Sequence, residues 1–231
     1  MQFEEAAYAP DPIDTIRKKR PELHAWTTSG KLDGYERDVA DIGYMEQFYL
    51  QIYITGVNGI IPWALVHCPW EADRLQNGGS RLSGNRNAPI HVIRTSETTG
   101  YYKIRKGYYF YKQLTRAGRP GMKVAETQST DKRIKAIAFS KGKTSHADSF
   151  ILINTSSASV PATIQLKGTD SVRFSTYTTS EVDAGNMNYE FTGNVTLSSG
   201  TVLYVIPAKS SVLFVEREEN QKEGVPNEQA H

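Results

Sequence analysis

Few residues in this chain could do chemistry, and most of the familiar constellations fail on spacing. Ser29, in Thr27-Thr28-Ser29-Gly30, does not sit in the Gly-x-Ser-x-Gly pattern of a nucleophile elbow, and no Asp or Glu partner is identifiable by position. A serine hydroxyl without an activating base is a weak nucleophile. Cys68 follows His67, but adjacent side chains rarely converge on one atom, and no further ligand cluster accompanies them, so neither a metal site nor a catalytic dyad is expected. Cys68 is the single cysteine, which excludes an internal disulfide framework and leaves a buried or loop thiol as the expectation. Asn154-Thr155-Ser156 and Asn194-Val195-Thr196 match the N-glycosylation pattern, which is common by chance.

Composition narrows the classes further. With 231 residues, 39% of them hydrophobic, the chain can bury a real core in one large domain or two small ones. Its 27 Lys and Arg stand against 25 Asp and Glu, a net charge of +2, and the basic residues are scattered apart from Arg17 to Arg20. Nothing in that balance argues for nucleic acid or an anionic membrane surface. No apolar run approaches the roughly 20 residues of a bilayer span. The start, Met-Gln-Phe-Glu-Glu, lacks the basic-then-apolar order of a signal peptide, so the expectation is a soluble intracellular chain or a mature or truncated form of an exported one.

The elements that must position any site fall into two halves. Residues 13–20 read as a short basic helix ending against Pro21, and 23–27 as a brief apolar strand closed by Thr28-Ser29-Gly30. Asp38 reads as the N-cap of a helix whose stripe is Val39, Ile42, Met45, Phe48 or Tyr49, and Ile52, with Gly56 and Asn58-Gly59 closing it. The run 60–66 then reads as a buried parallel strand with Pro62 at an irregular position. Residues 67–100 read as a long polar loop, where ligand contacts are expected. Ile104, Tyr108, Tyr111 and Leu114 mark a further helix, and helical spacing assigns most of Tyr101, Tyr102, Tyr108, Tyr109, Phe110 and Tyr111 to a core or an interface. After residue 123 seven β-branched runs, at 133–140, 149–154, 162–166, 173–178, 194–197, 202–206 and 211–215, predict an antiparallel sandwich; 216–231 read as a frayed tail.

The succession of a basic helix, Leu-His-Ala-Trp-Thr-Thr-Ser, a helix, Gly-Val-Asn-Gly-Ile-Ile-Pro-Trp-Ala-Leu-Val, a loop, a Tyr-rich helix, Arg-Pro-Gly and an all-β module resembles the C-terminal part of a retaining glycoside hydrolase of the (β/α)8-barrel clan, family 30 type. The resemblance covers roughly residues 13–215. It implies an α+β chain in two parts: a partial (β/α)-barrel segment, residues 1–118, holding the last two βα units, and an antiparallel β-sandwich at 119–216, with 217–231 a disordered tail. In this frame Trp26 ends the seventh barrel strand and Trp63 the eighth.

The resemblance also assigns roles. Trp63 becomes a platform for a sugar ring and Trp70 a second aromatic contact on the following loop; His67 can hydrogen-bond a hydroxyl, and Trp26 is a packing residue more than a contact. The family's nucleophile glutamate falls where this chain carries Ser29, and the general acid/base belongs to an earlier strand, before the segment matched here. Retaining hydrolysis needs two carboxyl groups about 5–5.5 Å apart. Glu36 and Glu71, in the loops after the two strands, are the only glutamates placed to form a substitute pair, with ordinary solvated loop carboxylates as the simpler reading; Asp33 and Asp73 stand no better. The expected function is therefore glycoside hydrolase-like, lacking the usual carboxylates, or alternatively a non-catalytic carbohydrate-binding or barrel-completing module. The implied partners are a carbohydrate ligand and a second copy or another chain that supplies the missing barrel half, with no nucleic acid, membrane, metal or cofactor; the implied location is secreted or periplasmic.

Overall fold

The computed structural model describes residues 2–3, 10–30, 42–62, 66–67, 89–94 and 98–217. In chain order its elements are β1 (Gln2–Phe3), α1 (Pro10–Lys19), β2 (Trp26–Gly30), α2 (Gly43–Tyr49) running on as a π-helical turn (Leu50–Ile54), β3 (Gly59–Pro62), β4 (Val66–His67), β5 (Ile90–Arg94), β6 (Gly100–Ile104) and α3 (Lys106–Ala117). Strands follow: β7 (Lys123–Ala125), β8 (Ile134–Ser140), β9 (Ser149–Asn154), β10 (Val160–Gln165), β11 (Arg173–Ser180), β12 (Asn188–Thr196), β13 (Thr201–Ile206) and β14 (Ser210–Glu216). This is a mixed α/β chain with several sheets and few helices. Among the described residues no helix is long and apolar enough to cross a membrane.

The second half is built on a six-stranded antiparallel sheet in the order β12-β11-β14-β9-β8-β7, with β10 and β13 forming a separate antiparallel pair. The period of two explains how one sheet serves two cores. Phe150, Leu152, Val212 and Phe214 point to the side where Val160, Ile164 and Ile206 of the β10–β13 pair pack. Their neighbours Ile151, Ile153 and Leu213 point the other way, onto Met45, Phe48 and Ile52 of the α2 segment and Phe110, Leu114 and Ala117 of α3. Each such large apolar side chain taken out of water is worth about 1.5–3 kcal/mol. The close seat of α3 shows at Gly118, where an added Cβ would fall 2.6 Å from the Phe139 ring.

Polar groups fix the same seam. Gln113, fully buried on α3, donates from its amide to the carbonyls of Tyr177 (2.9 Å) and Ser211 (3.1 Å) and accepts from the Ser211 hydroxyl. The Tyr53 hydroxyl donates to the Ala125 carbonyl at 2.8 Å and accepts the Ala138 amide at 3.0 Å. The first turn of α2 is capped from far along the chain: the Ile42 amide donates to Glu181 Oε1 at 2.9 Å, and Lys209 Nζ holds Glu181 Oε2 at 3.0 Å. Asn154, the first glycosylation-pattern asparagine, is fully buried and donates to the carbonyls of Ala158, Ile206 and Pro207, so its amide is already committed.

Several expectations shift. The segment 67–100 is not one loop, because Ile90–Arg94 pairs antiparallel with Gly100–Ile104; the alternating Ile90, Val92 and the β-forming Tyr101 and Tyr102 make a hairpin inside a polar stretch. Tyr101 and Tyr102 are therefore strand residues, 57% and 60% exposed, rather than helical core. Of the run 60–66, Ile60 to Pro62 belong to β3, whereas Val66–His67 pairs with β5 in a different sheet; 63–65 lie outside the described residues. Asp38 and the stretch 218–231 lie outside the described residues.

Candidate functional site

The first half contributes a small parallel sheet, β1-β2-β3. Because β2 and β3 run the same way, their C-terminal ends meet at one edge. The register runs Trp26↔Gly59, Thr27↔Ile60, Thr28↔Ile61 and then Gly30↔Pro62, so Ser29 is the residue left over at an irregularity. Ser29 thus lies on the strand-end edge, beside the position from which the chain continues into Trp63. Trp63, Trp70, Cys68, Asp33, Glu36, Glu71 and Asp73 themselves lie outside the described residues.

Trp26 has to be moved. It opens β2 rather than ending it, so three residues of extended chain, about 10 Å, separate it from Ser29. Its indole lies over Gly59, where an added Cβ would come within 3.0 Å of the ring, and the residue is 47% exposed. A strand opening there is favoured by the preceding turn and by Ala25, whose backbone is already paired with Asn58. His67 pairs with His91 in the β4–β5 sheet and so belongs to a different sheet from Ser29.

Three ties hold the strand-end edge from below. Asn58 accepts the Ala25 amide on its side-chain oxygen (3.0 Å) and gives its own amide to the Ala25 carbonyl (2.7 Å), locking the starts of β2 and β3 together. Thr27, buried, donates its hydroxyl to Gln51 Oε1 at 3.3 Å, linking β2 to the π-helical turn. Tyr111 on α3 donates its hydroxyl to the Ile60 carbonyl at 3.0 Å. Burial pushes the Tyr111 hydroxyl above its ordinary pKa, so it stays a donor across the physiological range. The sequence pattern marks Tyr111 only as part of a helical stripe and Asn58 only as a helix stop; it does not mark their partners.

At the opening of α3, Lys106 is buried and its ammonium donates to the Met187 carbonyl at 2.9 Å and to Asn188 Oδ1. Desolvation lowers it to about 8, partly opposed by Glu190. Among the described residues, no group of three or more His, Cys, Asp or Glu side chains could hold a metal ion.

No family model matches the chain, and no curated protein does. Solved structures do. A glycoside hydrolase family 30 endoxylanase from Clostridium papyrosolvens C71 superposes with a TM-score of 0.68 at 18% identity, over 94% of this chain and 48% of its own. A conserved exported protein from Bacteroides fragilis gives 0.61 at 16% identity, over 91% and 44%. An endo-β1,6-glucanase gives 0.56 at 18% identity, over 91% and 39%. The chain thus spans about half the length of the structures it matches, and what it shares with them at this identity is the fold. The expected likeness to family 30 glycoside hydrolases is borne out at that level.

Proposed function

We propose that this chain forms the closing part of a glycoside hydrolase-like barrel, residues 1–118, carrying a β-sandwich at 119–216, and that it acts on, or descends from enzymes that act on, the O-glycosidic bonds of polysaccharides. The observation that carries this reading is the fold likeness over 94% of the chain to about half of a family 30 endoxylanase. Export is the location that fits, as for the exported neighbour of the same fold.

The chemistry of the strand-end edge supports a chain without the usual retaining mechanism. A nucleophile must attack the anomeric carbon while an acid protonates the leaving oxygen, and both tasks belong to carboxyl groups about 5–5.5 Å apart. Ser29 offers a hydroxyl in the first role. Glycan contact is assigned to Trp63, Trp70 and His67, with Trp26 left to packing on Gly59. Purified chain should therefore bind soluble xylan or β-1,6-glucan without turning over aryl glycosides, and Trp63→Ala should abolish binding. Turnover that disappears in Glu36→Gln or Glu71→Gln would overturn this and assign a new carboxylate pair.

A second reading, barrel completion with another chain or a second copy, is favoured by the β1-β2-β3 sheet, three-stranded among the described residues, because parallel strands in barrels are bordered on both sides. Light scattering over the micromolar range separates the two: a stable oligomer supports a composite barrel, and a monomer removes self-completion.

A further inference from the structure

The end of the six-stranded sheet where β9 begins gathers cations from two separate stretches of the sequence. Lys123 pairs with Ser140, so the turn between α3 and β7 lies against the turn between β8 and β9. The two turns are in close contact: a Cβ added at Gly121 would fall 2.9 Å from the Thr144 methyl, and one added at Gly142 would fall 3.5 Å from Lys123 Cγ. Both glycines are left-handed, with φ of +85° and +55°, a conformation few other residues hold without strain. Arg116, Arg119, Lys123, Lys141 and Lys143 are all exposed on these two turns and the helix end leading into them.

Asp148 and Glu216, at the same end, are engaged with neutral donors. Asp148 accepts the Lys141 amide on Oδ1 and the Thr169 hydroxyl on Oδ2, both at 2.6 Å, and Glu216 Oε2 accepts the Asp148 amide at 3.1 Å. These bonds, with the Thr144 amide and hydroxyl both donating to the Lys141 carbonyl, fix the backbone of the β8–β9 turn. Lys167 and Asp170, on the turn beyond, are one of each sign. Among the described residues none of the five cations forms an ion pair. The opposite end of the sheet is arranged differently: Arg133 is paired with Asp131, and Lys209 with both Glu181 and Asp183. In a chain whose net charge is only +2, the fold thus gathers unpaired positive charge at one end and pairs much of it at the other.

Cations without counter-charges suit a polymer carrying closely repeated anions, and a backbone already fixed costs less to order on binding. Two of the five are guanidinium groups, which match a planar carboxylate with two parallel hydrogen bonds. We infer that this end of the sheet docks a polyuronate, a polysaccharide whose successive sugars carry carboxylates. The choice of a glycan among polyanions rests on the proposed function, but the surface uses no residue of the strand-end edge. The test is a calorimetric titration of the whole chain with polygalacturonate at about 0.05 M salt, where exposed charges are weakly screened. The double variant Lys141→Glu, Lys143→Glu should weaken binding about tenfold, and about 0.5 M salt should do the same to wild type. The control is the double variant Lys18→Glu, Lys19→Glu, which changes the net charge equally on exposed residues of α1 and should bind as wild type does; thermal melts check the folding of both. Absence of binding by wild type, equal loss in the two double variants, or tighter binding of DNA or of anionic phospholipid vesicles than of polygalacturonate overturns the inference. Binding of neutral xylan that Trp63→Ala abolishes, with no binding of polygalacturonate, leaves the proposed function standing and removes this surface. Polygalacturonate binding lost only in the β8–β9 turn variant, with no neutral glycan bound, keeps this surface and removes the Trp63 contact.

Discussion

Along β9 every side chain from Ser149 to Asn154 is buried, and its apolar residues go alternately to the β10–β13 pair and to the helices; along β2, Thr27 is buried but Trp26 is 47% exposed. The antiparallel sheet is held by apolar burial on both faces. In the parallel sheet the ladder is supplemented by hydrogen bonds at Asn58, Thr27 and Tyr111, and Ile60 packs partly buried on the helical core. The contrast sets a body packed on both faces beside an edge whose described ties are polar. Sites that bind and release ligands are commonly drawn from the less stable end of a structure.

Breaking the body should have the largest effect. Phe214 is fully buried, stacks on Phe150 at 4.4 Å and meets Tyr204 edge-on. Phe214→Ala should cost about 3–5 kcal/mol by urea denaturation; a loss under about 1 kcal/mol would mean the stability lies elsewhere and undo the comparison. Next in size is the seam. Gln113→Leu removes the donor from two buried carbonyls and the acceptor from Ser211, and should cost about 2 kcal/mol by the same measurement.

The edge should respond differently. Tyr111→Phe deletes only the hydroxyl that reaches Ile60, an expected global loss of about 1 kcal/mol or less. Its sharper signature is faster amide exchange in β3 with β9 unchanged, and equal acceleration in both would show that the two regions open as one. The smallest effect concerns pH. Lys106 titrates near 8 when folded against 10.5 as a free side chain, so between those values the unfolded chain binds more protons and stability rises with pH. Below about 8 both states hold the proton and this contribution is flat at its least favourable. Lys106→Met should remove the rise, read as urea midpoints on either side of that interval; a rise of equal size in the variant would assign it to other groups.

The body was the legible part of the sequence. The run 149–154 matches β9 residue for residue, and 202–206 and 211–215 match β13 and β14 to within one residue, because β-branched residues between turn clusters mark a strand buried on one or both faces. β12 was read only as 194–197, since its first half, Asn188 to Gly193, carries two bulges and a glycine that disrupt alternation. β7, of three residues, and the β5–β6 hairpin were missed for want of length or of an apolar run. At the site, the strand expected at 23–27 lies at Trp26–Gly30, so Ser29, expected in the closing turn, belongs to the strand and Trp26 opens it. What holds the edge was not legible at all, because the partners of Asn58, Thr27 and Tyr111 are set by three-dimensional proximity that no local spacing encodes.

The cap on α2 has a consequence for how the molecule comes into being. Ile42 waits for an acceptor 139 residues later in the chain, and that acceptor is steadied by Lys209, later still. During synthesis, a chain that has emerged through α3 has both helices but not the sheet they lie on, so Met45, Phe48 and Phe110 lack Ile151, Ile153 and Leu213 as partners. Closing so long a loop is slow, because its entropy is lost before its contacts are gained. Synthesis order therefore leaves the apolar faces of α2 and α3 without their sheet until β9 and β14 have been made.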